Sequence, residues 1–112
     1  MISDYLKGYI DALCYPIYRG ARKAGCVEVP VDQVDEATDR IRRIGCIAVV
    51  GRQVQPGIVE VWAVRNHSVR LELEDLLAQD VASPEYHEAV GRLLGYSEDH
   101  IRIFLETQRP TV

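Results

Sequence analysis

The chain has 112 residues, 47% of them apolar and 27% charged, which is the size and balance of one globular domain built on a single core. Its net charge of −4, with 8 acidic against 3 basic groups over residues 74–112, argues against general nucleic-acid binding, which needs a basic face to displace phosphate counterions. Three cysteines, Cys14, Cys26 and Cys46, lack the pairing of a secreted disulfide scaffold, and no apolar run approaches the roughly 18 residues of a membrane span, so a cytoplasmic protein with reduced thiols is expected.

The first apolar segment is broken by Asp4, Lys7 and Asp11, unlike the core of a signal peptide. Its apolar residues Leu6, Ile10, Leu13, Ile17, Ala21 and Ala24 recur at three- and four-residue steps, which predicts a helix over 3–24. Pro16 lacks a backbone donor, so a kink or a pair of short helices meeting near Tyr15 is expected. Tyr5, Tyr9, Tyr15 and Tyr18 decorate this segment and read as half-buried rings with their hydroxyls in water.

Arg19, Arg22 and Lys23 ahead of Gly25, and Arg40, Arg42 and Arg43 ahead of Gly45, look like two helix ends: cations complement the dipole and a glycine supplies the left-handed cap. Between them lie a short edge strand, Cys26 to Val29, and a second helix. Asp32 is its expected N-cap, and Val34, Ala37, Ile41 and Ile44 form its buried stripe.

Residues 46–65, CIAVVGRQVQPGIVEVWAVR, read as two apolar strands joined at Pro56-Gly57 and form the centre of the fold. A two-residue turn there places Gln55 opposite Ile58, Val50 opposite Ala63 and Ala48 opposite Arg65. A further turn at Asn66-His67 would add a third strand through Val69, Leu71 and Leu73. One face of that meander carries Ile47, Val49, Ile58, Trp62, Val64, Val69, Leu71 and Leu73 and is the core face. The opposite face mixes Ala48, Val50, Val54, Val59, Val61 and Ala63 with Arg52, Arg65, Arg70 and Glu72. Small apolar residues bounded by arginines suit a contact surface, so Val50, Arg52, Val61, Arg65 and Arg70 are the candidate partner-binding set. Two alternatives stay open: the N-terminal helices cover this face as well, or a helix starting at Ser68 replaces the third strand.

From Glu74 the pattern is helical. Ser83-Pro84 place an N-cap and a first-turn proline ahead of residues 86–94, and Ser97 caps a last helix containing Ile101, Phe104 and Leu105, giving a helical hairpin. The fold expected is therefore α+β: a small antiparallel meander of about three strands, with a short fourth at an edge, packed against N-terminal helices and a C-terminal helical hairpin. Residues 1–107 make up the domain and 108–112 a loose tail.

The run HEAVGRLLGYSEDHIRIF, from His87 to Phe104, resembles a helix-turn-helix segment of small uncharacterised microbial and phage-type proteins. It covers 18 of the 112 residues. The resemblance implies an accessory protein of microbial or mobile-element origin and carries no catalytic role.

No catalytic or cofactor signature stands out. A zinc site is normally announced by close Cys or His pairs, and Cys14, Cys26, Cys46, His67, His87 and His100 are all far apart. The glycines have neither phosphate-loop nor dinucleotide spacing. No metal and no cofactor are expected. The sharpest enzymatic alternative is a Cys-His hydrolase with Cys14 or Cys46 as nucleophile and His87 or His100 as base. A second alternative is a local anion or RNA site built from Arg40, Arg42, Arg43, Arg52, Arg65 and Arg70. The reading preferred is a small non-enzymatic protein-binding module, a regulator, inhibitor or assembly subunit, engaging a protein partner or a second copy as a homodimer, without nucleic acid or membrane.

Overall fold

A computed structural model describes residues 2–95 as four helices and one three-stranded antiparallel sheet. In chain order these are α1 (Asp4–Tyr18), β1 (Ala24–Pro30), a 3-10 turn (Val31–Gln33), α2 (Val34–Ile44), β2 (Ile47–Gln55), β3 (Ile58–Val64), α3 (His67–Leu77) and α4 (Pro84–Leu93). The sheet order is β1-β3-β2. The central strand has the sequence IVEVWAV, and its Val59, Val61, Trp62, Ala63 and Val64 are all buried. Successive side chains of a strand point to opposite faces, so burial of Val61 through Val64 without a break means that both faces are covered.

The cover divides by helix pair. Ile10, Cys14 and Ile17 of α1 and Ala37 and Ile41 of α2 pack on Val27, Val29, Val61 and Ala63. Val69, Leu73 and Leu76 of α3 and Tyr86 and Leu93 of α4 pack on Ala24, Trp62 and Val64. The molecule is thus a three-layer α+β sandwich with the sheet in the middle, and the face expected to look outward is the floor of the N-terminal half of the core.

The third strand expected over residues 69–73 is helix α3. The Asn66 side chain accepts the Val69 N–H at 3.0 Å and starts the helix as its N-cap. Val69, Leu73 and Leu76 are buried at helical spacing, and Leu71, which a strand would have turned inward, is exposed. Asparagine serves a tight turn and an N-cap by the same side-chain chemistry, so the dipeptide Asn66-His67 favours neither by itself. The remaining sheet position belongs to β1. That strand is longer than the expected Cys26–Val29 and pairs along its whole length with β3, from Ala24 opposite Val64 to Pro30 opposite Ile58.

Helix α1 is one helix, with Pro16 inside its last turn. A proline so close to the end forfeits a single backbone bond, and the helix stops two residues later. The stop uses Gly20, at φ +84, where Gly25 was expected. Gly25 lies in β1 instead, and a Cβ there would come 2.5 Å from Leu13 Cδ1, so its small size lets α1 approach the sheet. Gly45 is the left-handed cap foreseen for α2, at φ +110, and the Cys46 N–H reaches back to the Ile41 carbonyl at 3.3 Å. Asp32 falls in the 3-10 turn, and Gln33 occupies the N-cap position without a side-chain bond. In α4, Ser83 accepts the Tyr86 N–H at 3.1 Å ahead of Pro84, as read from the sequence. The expected last helix and the tail lie outside the described residues.

The β2–β3 hairpin begins in the anticipated register, with Gln55 opposite Ile58, but two irregularities follow, between Gln55 and Gln53 and between Gln53 and Val50. Each adds one residue to β2, so Val50 meets Val61 and Ala48 meets Ala63, two positions away from the pairing expected. A two-residue displacement returns Ile47 to Val50 to their original faces. A one-residue displacement does not, and Arg52, inside the irregularity between Val50 and Gln53, changes sides.

Gly51 sits where β2 crosses Trp62. A Cβ at this position would lie 3.1 Å from Trp62 Cδ1 and 2.9 Å from Glu60 Oε1. Gly51→Ala is expected to destabilise the fold by about 1–2 kcal/mol, because the overpacking cost outweighs the smaller gain from stiffening the unfolded chain. Thermal unfolding of the two proteins measures it, and an unchanged or higher midpoint would show that β2 has room to withdraw from the indole.

Candidate functional site

The five residues read as one surface are divided by the fold. Val61 is fully buried beneath α1 and α2, whereas Val50, across from it on the edge strand β2, is 53% exposed. Arg65 follows β3 at the surface, its Nη1 3.5 Å from the Gly20 carbonyl, and Arg70 lies on the exposed side of α3, 3.0 Å from Glu74. Arg52 points to the opposite side of the sheet from Val50. The N-terminal helices therefore close this face, which is the covered alternative, and the valines and arginines do not converge.

The position of Arg52 follows from the irregular pairing of β2. Its backbone N–H lies 3.4 Å from Glu60 Oε1, a carboxylate that also takes the Trp62 indole N–H at 3.3 Å. Its Nη2 donates to the carbonyls of Leu77 and Gln79, the latter at 2.6 Å. These carbonyls lie at the last residue of α3 and just beyond its C-cap Ala78, where the helix dipole is negative and backbone oxygens have no intrahelical donor. The guanidinium carbon sits 4.8 Å from the centre of the Tyr86 ring, at the start of α4. Nη1 is enclosed without a hydrogen-bond partner among the described residues. Arg52 thus ties β2 to the corner between α3 and α4, and its charge is spent inside the molecule.

The other arginines are largely committed as well. Arg40 holds Asp11 by a two-pronged contact, Nε to Oδ1 at 2.8 Å and Nη2 to Oδ2 at 2.7 Å, and this guanidinium keeps the Asp11 carboxyl below its usual range. Arg43 pairs with Asp39 at 3.1 Å. The six arginines of the expected anion or RNA site are spread over α2, β2, the end of β3 and α3, and three of them face carboxylates.

The thiols are equally occupied by packing. Cys14 and Cys46 are buried, and the Cys46 thiol lies 3.6 Å from the Cys14 carbonyl. Burial first, then the neighbouring Cys46, pushes the Cys14 thiol up to about 12. Cys26, half-buried, is also pushed up to about 12, by burial and then by the carboxylates of Glu60 and Glu28. Burial raises Cys46 too. A thiol that stays protonated at neutral pH is a poor nucleophile. His67 is exposed in the first turn of α3, and the His87 ring stands edge-on to Tyr86 with centroids 5.4 Å apart. His100 lies outside the described residues. Among the described residues, no three His, Cys, Asp or Glu side chains are placed to hold a metal ion.

The surface of α1 differs from all of these. Its inner side is fully buried through Ile10, Cys14 and Ile17, yet Tyr5, Tyr9, Tyr15 and Tyr18 are exposed, from 47% at Tyr9 to 82% at Tyr5. Tyr15, Tyr18, Asp11, Arg40 and Arg43 line a groove of about 370 Å³ between α1 and α2. A second opening, of about 420 Å³, lies between α3 and α4 and is lined by Lys23, Glu72, Asp75 and Arg92 among others. The sequence showed four tyrosines on one segment. It did not show that they stay outside, because tyrosine is compatible with either environment until the packing partners of its helix are known. No family model matches the chain, and no curated protein sequence matches it.

Proposed function

We propose that this chain is a small non-enzymatic protein-binding module, acting by surface contact as a regulator, inhibitor or assembly subunit, with the outer face of α1 as its contact surface. The observation that carries this reading is the set of four exposed tyrosines on a helix whose other side is fully packed. Large rings left in water gain most when a partner covers them, tyrosine loses little side-chain entropy on binding, and it is enriched at protein interfaces. Arg40 and Arg43 along the neighbouring groove add the other residue type common at such sites.

The thiols argue against the hydrolase alternative, since Cys14 and Cys46 pack in the core and their ionisation is opposed by burial. The paired arginines argue against an anion or RNA site. No helix among the described residues is long and apolar enough to cross a membrane. Free cysteines suit a reducing cytoplasm, and the microbial or phage-type resemblance of the run beginning at His87 suits an accessory protein.

The test is affinity capture with the chain immobilised through its C-terminus, comparing wild type with the Tyr5→Ser, Tyr15→Ser double variant. Loss of partners in the variant, with unchanged circular dichroism, is expected. Equal recovery by both proteins would remove α1 from the reading.

A further inference from the structure

The exposed side of α1 carries a sequence pattern that reads the same in both directions. At 3.6 residues per turn, Tyr5, Gly8, Ala12 and Tyr15 fall within an arc of about 80°, opposite the buried Ile10, Cys14 and Ile17. All four are exposed. Their spacing is symmetric about position 10: each tyrosine is five residues from it, and each small residue two. In an isologous pair of antiparallel helices centred on that position, residue i of one copy faces residue 20 − i of the other. Tyr5 would face Tyr15 of the second copy, and Gly8 its Ala12.

The ends of the helix are complementary in the same sense. Asp4 lies at the N-terminal end, fully exposed and 3.9 Å from Lys7, while Arg19 and Arg22 follow the C-terminal end, exposed and without an ion pair among the described residues. Antiparallel pairing in this register sets Asp4 of each copy opposite Pro16 of the other, about one turn from Arg19, and sets the helix dipoles in opposition. Parallel pairing would set Arg19 and Arg22 of one copy against the same two cations of the other. Gly8 adds an independent sign. No atom lies within 4 Å of a Cβ built on it, so the chain's own fold needs no glycine there, and a glycine inside a helix costs stability relative to alanine. A close approach by another helix is what its lack of a side chain serves.

We infer that the outer face of α1 binds a second copy of this chain, antiparallel about a two-fold axis that crosses this face at the level of residue 10. This rests on the reading of α1 as the contact surface and names its partner. Pairing of this kind brings the helices close at Gly8 and Ala12 and packs Tyr5 of each copy against Tyr15 of the other on either side of them.

Sedimentation of the purified full chain from micromolar to millimolar concentration tests it. Wild type is expected to dimerise, and Gly8→Glu to weaken the dimer by at least about tenfold while keeping its helical circular dichroism, since the new side chain points into open space. Oxidative cross-linking tests the direction. Tyr5→Cys and Tyr15→Cys variants should link when mixed and not alone, with the wild-type chain as blank. A monomer at every concentration, or a Gly8→Glu dimer as tight as wild type, overturns the inference, and self-linking of either cysteine variant overturns the antiparallel arrangement. If wild type is monomeric while the tyrosine-dependent capture described above persists, the second copy is the wrong partner and the contact surface stands; if the tyrosines matter in neither experiment, both readings fall.

Discussion

Val61→Asp is expected to cost the protein roughly 3–5 kcal/mol or to prevent folding, whereas Val50→Asp, directly across the ladder from it, should stay within about 1 kcal/mol. Both valines lie on the same face of the sheet and pair with one another. Val61 is on the central strand, without solvent exposure and enclosed by α1 and α2, so a carboxylate there has neither water nor a cation to compensate it. Val50 is on the edge strand with half its surface in water. Urea denaturation of both variants gives the two midpoints. Similar midpoints would mean that the helices do not close over the sheet as described.

Arg52→Ala should cost about 2–3 kcal/mol, more than an average surface change, because it removes charge-assisted bonds to the carbonyls of Leu77 and Gln79 together with the contact over Tyr86. The loss should be local in origin. Amide hydrogen exchange is expected to accelerate first at the end of α3 and in the connection to α4, while α1 and α2 keep their protection. Arg52→Lys should recover only part of the stability, since an ammonium lacks the planar fork that lets one guanidinium serve two carbonyls and lie over a ring. If Arg52→Ala leaves exchange at α3 and α4 unchanged, the arginine is not the tie between β2 and that corner.

These two positions also show where a periodicity argument stops. The assignment of Ile47, Val49, Trp62 and Val64 to one face and Ala48, Val50, Val61 and Ala63 to the other was legible from alternation alone and is what the structure has. Which face meets solvent was not legible, because β-branched residues and alanine suit a second core layer as well as a contact surface. Arg52 was misplaced because alternation assumes one residue of β2 per residue of β3, and the two irregularities break that count. Gly51, next to Arg52, is the residue whose small size allows the strand to pass Trp62 and Glu60 at that place.

A similar ambiguity governed residues 66–77. The run V-R-L-E-L satisfies both a period of two and a period near 3.6 over so short a span, and only the onward match of Leu73 and Leu76 separates them. What chose helix was the lack of a vacancy in the sheet: β1 already occupies the second edge of β3 along seven residue pairs, leaving no place for another strand there.

By itself, then, the sequence determined the α+β class, the Pro56-Gly57 hairpin, the Gly45 and Ser83-Pro84 helix boundaries and the pairing of apolar residues by face, since each depends on chemistry within a few residues of the chain. Only the tertiary structure decided that both faces of the sheet are covered, that Arg52 serves the end of α3, and that the tyrosines of α1 remain outside. Those outcomes depend on which elements meet across the sheet, and contacts between residues distant in the chain are set by packing the whole core at once, which no local pattern contains.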